Sequence, residues 1–459
     1  MNLPKEFQNK MKQLLDTEYD DFISSFDDKP HKGIRINTSK ISIEQFIKAY
    51  PYELEQIPWC NEGFYVNNNG DIKLGKHPYY HCGLYYIQEP SAMIPVEVLS
   101  PKQGDKVLDI CAAPGGKSTQ IAAKLSGEGI VVSNDISPKR VKSLAKNIKI
   151  MGIANSVILN ESPKNLSKNF AGYFDKILVD APCSGEGMFK RDSVSIKKWS
   201  KDSILEYSKM QREILEYAPK MLKSNGIIVY STCTFSPEED EGTINWFLNE
   251  FPDFHVEHIA NMPMLDNGHP EWIDASNSLV GAKRAWPHKI TGDGHFVVLL
   301  KRKSTQDVCS SLNKLEASAP KELIDKYLEF QQDYLNKKLK GIFIYKNSNL
   351  YLLPEHIPSL NNLKVEYMGL LVGTFKNDNF IPSQELIMSL KFEDFKQVLN
   401  ISSSDINATK YLKGETLMSP IENNFNKWVS IFIDSHPAGW VKNAGGILKN
   451  HYNKAWRMK

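Results

Sequence analysis

Between residues 106 and 302, short apolar runs alternate with helix-like stretches, and several runs end on an acidic or polar residue. The runs cover 106–110, 130–135, 156–160, 175–180 and 226–231, with 295–302 as a closing strand. Helical patterns lie between them: KSTQIAAKL from Lys117, SPKRVKSLAKNIKIMG from Ser137, and residues 203–222. Ser137 is placed to cap its helix, and Pro138 suits the first helical position, where no N–H is needed. Strands that alternate with helices pair in parallel, because each crossover returns the chain to the same end of the sheet. Strands that are apolar along their whole length are buried on both faces. The expected fold is α/β, an open Rossmann-like sheet covered on both sides.

That sheet does not use the whole chain. A sequence of 459 residues is too long for one ordinary core. Residues 1–83 read as a small unit of their own, with helices at 4–15 and 18–26, a strand at 33–37 and a turn-rich stretch at 67–76. The sheet domain is expected over 84–303. At 304–320 the composition shifts to Ser, Lys and small polar residues, which reads as a linker. An α+β region follows over 321–459, with strand-like runs at 341–345, 370–375 and 429–433 and a possible internal break near 401–416.

The formal net charge is only +2, so any surface for nucleic acid must be local. Lys190, Arg191, Lys197 and Lys198 form one basic cluster. Lys442, Lys449, Lys454, Arg457 and Lys459 form another, in a tail without acids. Each is a solvated charge or a phosphate contact. Trp440, Tyr452 and Trp456 in that tail suit either base stacking or core packing, with packing the favoured reading for Trp440. The six cysteines are scattered and none has Cys-x-x-Cys spacing, so neither a disulfide framework nor a zinc site is expected. No apolar run has the length of a signal peptide or a membrane span, and a reducing cytoplasm is the natural compartment.

Four segments carry candidate chemistry. Asp109-Ile-Cys-Ala-Ala-Pro-Gly-Gly-Lys117 falls where the first strand hands over to the first helix. Glycines there let backbone approach a ligand, although a structural turn is an equally good account of a lone Gly-Gly. Asp135 ends the second strand, placed to accept hydrogen bonds from ribose hydroxyls. Asp180-Ala-Pro-Cys183-Ser-Gly-Glu-Gly187 and Ser231-Thr-Cys233-Thr-Phe235 follow two further strands. A single cysteine at such a place is usually a small buried hydrophobe. Two, each at the strand end where open sheets bind ligands, point to thiol chemistry.

With DICAAPGGKS, the acid of SNDIS, DAPCSGEGMFKRD and STCTFSPEEDE in order, the chain resembles the Sun/Fmu class of RNA cytosine-5 methyltransferases. GIRIN, YYIQEPSAM and RAWPHKITGDGHF extend the resemblance over roughly residues 30 to 303. PAGWVKNAGGILKNHY resembles the extra RNA-binding region of the bacterial 16S ribosomal RNA members. The resemblance implies a class I methyltransferase sheet with a small N-terminal RNA-binding domain, S-adenosylmethionine as cofactor, no metal, and RNA as partner. That RNA would be 16S ribosomal RNA or the small ribosomal subunit. It implies Cys233 as nucleophile and Cys183 as the residue that helps break the covalent adduct. Cys111, Ala112, Ala113, Pro114, Gly115, Gly116 and Lys117 would cradle the methionine part of the cofactor. Asp135 would hold its ribose, and Asp180 would lie between cofactor and base. One departure stands out: where many members carry an Asp near the adenine, this chain has Asn160-Glu161-Ser162, so Asn160, Ser162 or a backbone group would take over.

Thiols suit such a reaction because carbon 5 of cytosine is a poor nucleophile. A thiolate added at carbon 6 makes the ring enamine-like and able to attack an activated methyl group. The base must leave its stack to reach the pocket. Transfer RNA is the alternative substrate, and a non-catalytic ribosome-assembly factor is the alternative class; the intact cysteines and Asp180 weigh against the latter. A monomer is expected.

Overall fold

The computed structural model describes residues 1–67, 73–260, 262–303, 315–316, 318–355, 357–419 and 427–459. Most of the linker expected over 304–320 lies outside the described residues, as do Cys309 and part of the turn-rich stretch at 67–76.

The alternating segment builds the expected sheet. Its strands are β1 (Lys106–Asp109), β2 (Ile130–Asn134), β3 (Ser156–Leu159), β4 (Phe174–Asp180), β5 (Leu222–Thr232), β6 (Lys283–Ala285), β7 (His295–Arg302) and β8 (Val365–Met368). The order β3-β2-β1-β4-β5 is parallel throughout. β7 runs antiparallel to β5, and β6 antiparallel to β7. Successive residues face opposite sides, so Leu108, Ile177 and Ile228 enter one core while Val107, Leu178 and Val229 enter the other. Helices follow the strands as the periodicity predicts. Gly116–Leu125 comes after β1, and Pro138–Ile150, capped by Ser137, comes after β2. The helix expected over 203–222 spans Lys201–Met221 and runs straight into β5.

Two placements were not visible in the pattern. The first is β8, which comes from the region beyond the linker yet pairs antiparallel with β3, with Val365 opposite Leu159 and Met368 opposite Val157. It covers an edge that would otherwise present unpaired backbone groups. The second is the amino-terminal arm. Helices Lys5–Leu15 and Tyr19–Ser24 carry Phe7, Phe22 and Phe26 into one cluster with Phe189, Trp199, Phe235 and Trp286. The Phe7–Phe189 and Phe22–Phe235 ring centroids are each 5.2 Å apart, near edge-to-face. The arm therefore packs beneath the two cysteine loops. The rest of the amino-terminal segment forms a four-stranded antiparallel sheet, to which Tyr85–Ile87 contributes an edge.

Beyond the linker, Ile342–Lys346, Asn349–Leu353, Leu370–Lys376 and Asn379–Pro382 make a four-stranded antiparallel sheet. Trp428–Ile433 and His436–Ala444 are central in a five-stranded one. Trp440, Tyr452 and Trp456 are all buried, and Trp440 Nε1 donates to the Ser383 carbonyl at 2.8 Å. Core packing, expected for Trp440, accounts for all three. Among the described residues, no helix is long and apolar enough to cross a membrane.

Candidate active site

From β1 the chain steps outward to β2 and β3, then returns to the other side of β1 for β4 and β5. Open sheets leave a crevice at such a reversal, at the carboxyl ends of the strands. A cavity of about 960 Å³ lies there, and it gathers Cys111, Asp135, Asp180, Cys183 and Cys233, which stand at or just past the ends of four strands, Asp180 and Cys183 sharing β4. It lies within the range of ligand pockets, up to about 1,000 Å³.

The two thiols meet: Cys183 Sγ and Cys233 Sγ are 3.4 Å apart. The Cys183 thiol is pushed well up, first by its hydrogen bond to Cys233 and then by burial. Two negative sulfurs at this distance repel strongly, so the pair carries at most one thiolate at a time. Burial, reinforced by the nearby acids, pushes the third cavity thiol, Cys111, up as well. The described cysteines are all free.

Asp180 faces the thiols from β4. Lys117 Nζ donates to its Oδ2 at 2.8 Å, and Ser231 Oγ donates to its Oδ1 at 2.8 Å. Burial opposes its charge, but the Lys117 cation and His295 outweigh burial and hold the carboxyl well below the usual range. Asp109 behaves oppositely. It is fully buried, accepts one hydrogen bond from Ser118 Oγ at 2.6 Å, and burial raises its pKa to about 7.

Buried carboxylates lock the cysteine loops together. Glu186, from the loop of Cys183, reaches under the loop of Cys233. Its Oε2 accepts from Phe235 N at 2.8 Å and Thr234 Oγ1 at 2.9 Å, and its Oε1 from Ser236 Oγ at 2.8 Å and Trp199 Nε1 at 2.9 Å. Glu239 returns the tie, accepting from Ser184 N and Gln211 Nε2 at 2.9 Å each. Burial raises its pKa to about 8 despite these bonds. Arg284 holds Glu241 through a two-pronged pair and lies 3.1 Å from Asp240.

On the opposite wall, Asp135 Oδ2 accepts from Ala113 N at 3.3 Å and lies 3.3 Å from Arg140. Beside it, Ile136 is 70% exposed and lines the cavity. An exposed Ile next to a buried acid offers an apolar face to a purine. Acid, apolar surface and room together fit a nucleoside bearing a positive sulfonium. Of the glycine turn, only Cys111 lines the cavity. Ala112 and Ala113 pack against Val141 and Leu144, the Pro114 carbonyl accepts from Asn147 Nδ2 at 2.9 Å, and Gly115 takes a φ of 111° that favours glycine. Gly116 opens the helix, and Lys117 projects to Asp180.

Ser162 lines the cavity while capping helix Pro163–Asn169. Asn160 does not line it, and its amide donates to the Asp135 carbonyl at 2.8 Å. The intervening Glu161 lines it instead, and accepts from Lys364 N, just before β8, at 2.7 Å. Arg191 pairs with Asp293 and donates to the His31 carbonyl, which makes it a structural cation, whereas Lys197 and Lys198 are exposed. Among the described residues, one cluster has metal-ligand spacing, Cys60 with Glu62 and Glu97. Lys124 already sits 3.0 Å from Glu97 and 3.5 Å from Glu62, so the cluster reads as a half-buried ion-pair group.

Sequence reasoning missed Ile136, Glu161, Glu186, Glu239 and His295. Glu186 and Glu239 stood in view inside the cysteine motifs, and Glu161 between Asn160 and Ser162, but nothing local marks an acid as buried.

Residues 96–301 match the family described as 16S rRNA methyltransferase RsmB/F. Residues 3–90, 329–390 and 398–458 match, in turn, the RsmF N-terminal domain, its first C-terminal domain and its PUA domain. The chain is 30% identical to ribosomal RNA small subunit methyltransferase F of Psychromonas ingrahamii, over 98% of this chain and 96% of that one. It is 31% identical to the protein of the same name from Vibrio vulnificus, over 87% of each. Among solved structures, a methyltransferase homolog protein from Pyrococcus horikoshii superposes with a TM-score of 0.58 at 29% identity, covering 65% of this chain and 95% of that one.

Proposed function

The chain belongs to the ribosomal RNA small subunit methyltransferase F family, and we propose from this that it methylates carbon 5 of a cytosine in 16S ribosomal RNA through a covalent cysteine adduct. The observation that carries the reading is the pair of thiols 3.4 Å apart, in one cavity with Asp180 and Asp135.

S-adenosylmethionine, when bound, supplies an electrophilic methyl group on a sulfonium sulfur. Asp135 would hold its ribose hydroxyls, and Ile136 and Pro163 would flank its adenine. Asp180 and Cys111 would line the side nearer the thiols. The chain's own residues do the rest. The Cys233 thiolate forms a bond to carbon 6 of an extruded cytosine, and Asp180 holds the edge of the ring where N3 gains a proton. Carbon 5 then carries the new methyl group and still its hydrogen. Cys183, having first given its own thiol proton to solvent, takes that proton; the carbon 5–hydrogen pair becomes the ring double bond, the carbon 6–sulfur bond breaks, and its electron pair returns to Cys233. The tie through Glu186 keeps the two sulfurs in register for this exchange. Exposed Lys197 and Lys198 beside the Pro-Cys loop suit phosphate contacts, and the C-terminal region adds further RNA-binding surface.

The test uses the full chain, unmodified 16S ribosomal RNA and radiolabelled S-adenosylmethionine. Cys233→Ala is expected to abolish label transfer while keeping S-adenosylhomocysteine affinity. Cys183→Ala is expected to accumulate a protein–RNA species that survives denaturing electrophoresis. Full labelling by Cys233→Ala would remove the nucleophile, and label on transfer RNA alone would replace the substrate.

A further inference from the structure

Behind Asp180 lies a group that the reaction above leaves unused. His295, the first residue of β7, is 4% exposed, and neither of its ring nitrogens has a hydrogen-bond partner. Its Nε2 stands 3.5 Å from Asp180 Oδ1. The sheet register explains the proximity. Asp180 pairs with Ser231 across β4 and β5, and Ser231 pairs with Val297 across β5 and β7. Paired residues share a face, and His295, two residues from Val297, shares it too. The order from interior to cavity is therefore His295, Asp180, then the space a base would enter.

Other charged groups on the neighbouring segments are engaged elsewhere. Glu89 accepts from the backbone N–H groups of Ser91, Ala92 and Asp293, at 3.0, 2.8 and 2.8 Å. Asp293 is paired with Arg191, and Lys117 sits on the far oxygen of Asp180. A buried imidazole without partners is costly unless it gains one during function. The proton chemistry at Asp180 provides that occasion.

When a thiolate adds to carbon 6, electron density moves through carbon 5 and carbon 4 onto N3, which must take up a proton. Asp180, held as a carboxylate by Lys117, has none to give. We propose that His295 is the proton reservoir for this step, passing a proton through Asp180 to N3 as the carbon 6–sulfur bond forms. The transfer balances. Nε2 of the protonated ring gives its proton to Asp180, Asp180 passes it to N3 and is a carboxylate again, and the imidazole is left neutral. When Cys183 removes the carbon 5 proton and Cys233 is expelled, N3 returns its proton along the same path. His295 is thus a positioning and proton-holding residue acting through Asp180, and it does not touch the base.

This inference rests on the covalent reading above, so the test separates the two. In the Cys183→Ala full chain, adduct with unmodified 16S ribosomal RNA is followed in a single turnover. Two further substitutions are placed on that background. His295→Phe keeps the ring's shape without nitrogen, and His295→Gln keeps an N–H donor that does not transfer. Both are expected to slow adduct formation by about 100-fold or more, the usual scale of general acid–base assistance. S-adenosylhomocysteine affinity should stay unchanged, which shows that the fold is kept. Adduct forming at the parent rate in both variants overturns the proposal. A fast Gln variant beside a slow Phe variant also overturns it, since orientation by an N–H would then suffice. If Cys183→Ala itself gives no adduct, the covalent reading falls, and this inference with it.

Discussion

Glu186 offers the sharpest quantitative test of how the two thiols are held. Its side chain is fully buried and accepts four hydrogen bonds. Two donors have no alternative use: Trp199 Nε1 and Phe235 N can only donate. The hydroxyls of Thr234 and Ser236 can rotate, and Thr234 Oγ1 already lies 2.7 Å from Ser184 Oγ. Glu186→Ala therefore strands at least two buried donors. At ~1–3 kcal/mol for each, the loss is about 2–6 kcal/mol, a large part of the 5–15 kcal/mol typical of a folded protein. Glu186→Gln is milder but not neutral. Its NH₂ must replace either Oε1, which Trp199 faces, or Oε2, which Phe235 faces, so one donor meets a donor whichever way the amide turns. About 1–3 kcal/mol is expected for Gln. Urea unfolding followed by Trp fluorescence reads both values, and single-turnover methyl transfer reads the register of the sulfurs. Transfer should fall more steeply than stability, because the tie joins the loops of Cys183 and Cys233. An Ala variant within about 0.5 kcal/mol of wild type, with normal transfer, would refute the assignment; surface changes sit at that level.

Two further perturbations test the surroundings. Asp109 is protonated in the folded chain up to about pH 7, while in the unfolded chain it ionises near ~4. Across that window the folded state holds a proton the unfolded state has lost, so stability falls as pH rises. Asp109→Asn, which keeps an acceptor for Ser118, should flatten this slope in urea titrations; an unchanged slope would show that the group is ionised in the fold. Lys364→Pro removes the N–H that Glu161 accepts at 2.7 Å and loosens the loop of Glu161 and Ser162 on the cavity wall. S-adenosylhomocysteine binding by calorimetry should weaken about tenfold, equivalent to ~1.4 kcal/mol. Equal affinity would show that the loop keeps its shape without the brace.

The sheet and the placement of both cysteines were legible because each depends on local signals. Periodicity, the Ser137 cap and the glycine turn are written within a few residues of where they act. The strand ends then brought Asp109, Asp135, Asp180, Cys183 and Cys233 to one edge without knowledge of any contact. The missed features depend on distant partners. Val365–Met368, interrupted by Glu366, gives no strand signal of its own, and nothing in its composition names Ser156–Leu159 as its neighbour. Phe7 and Phe22 look like the apolar stripe of an ordinary amphipathic arm. His295 is a polar residue opening the apolar run Phe296–Leu300, and only the register across three strands sets it behind Asp180. The adenine side shows the same limit. Asn160 and Ser162 were singled out by alignment of position; Ser162 does stand on the wall, beside Ile136 and Glu161, whereas the Asn160 amide is turned to the Asp135 carbonyl.

The aromatic arm has a consequence for the order in which a ribosome builds this protein. Phe7, Phe22 and Phe26 emerge first, yet their partners at Phe235 and Trp286 are translated more than two hundred residues later. At about 5–20 residues per second, that is a wait of roughly 10–55 s in which only their own rings, and later Phe189 and Trp199, can cover them. Until Trp286 is out of the exit tunnel, the loops bearing the two sulfurs have no floor. The earliest segment of a nascent chain is thus where a holding chaperone has most to protect.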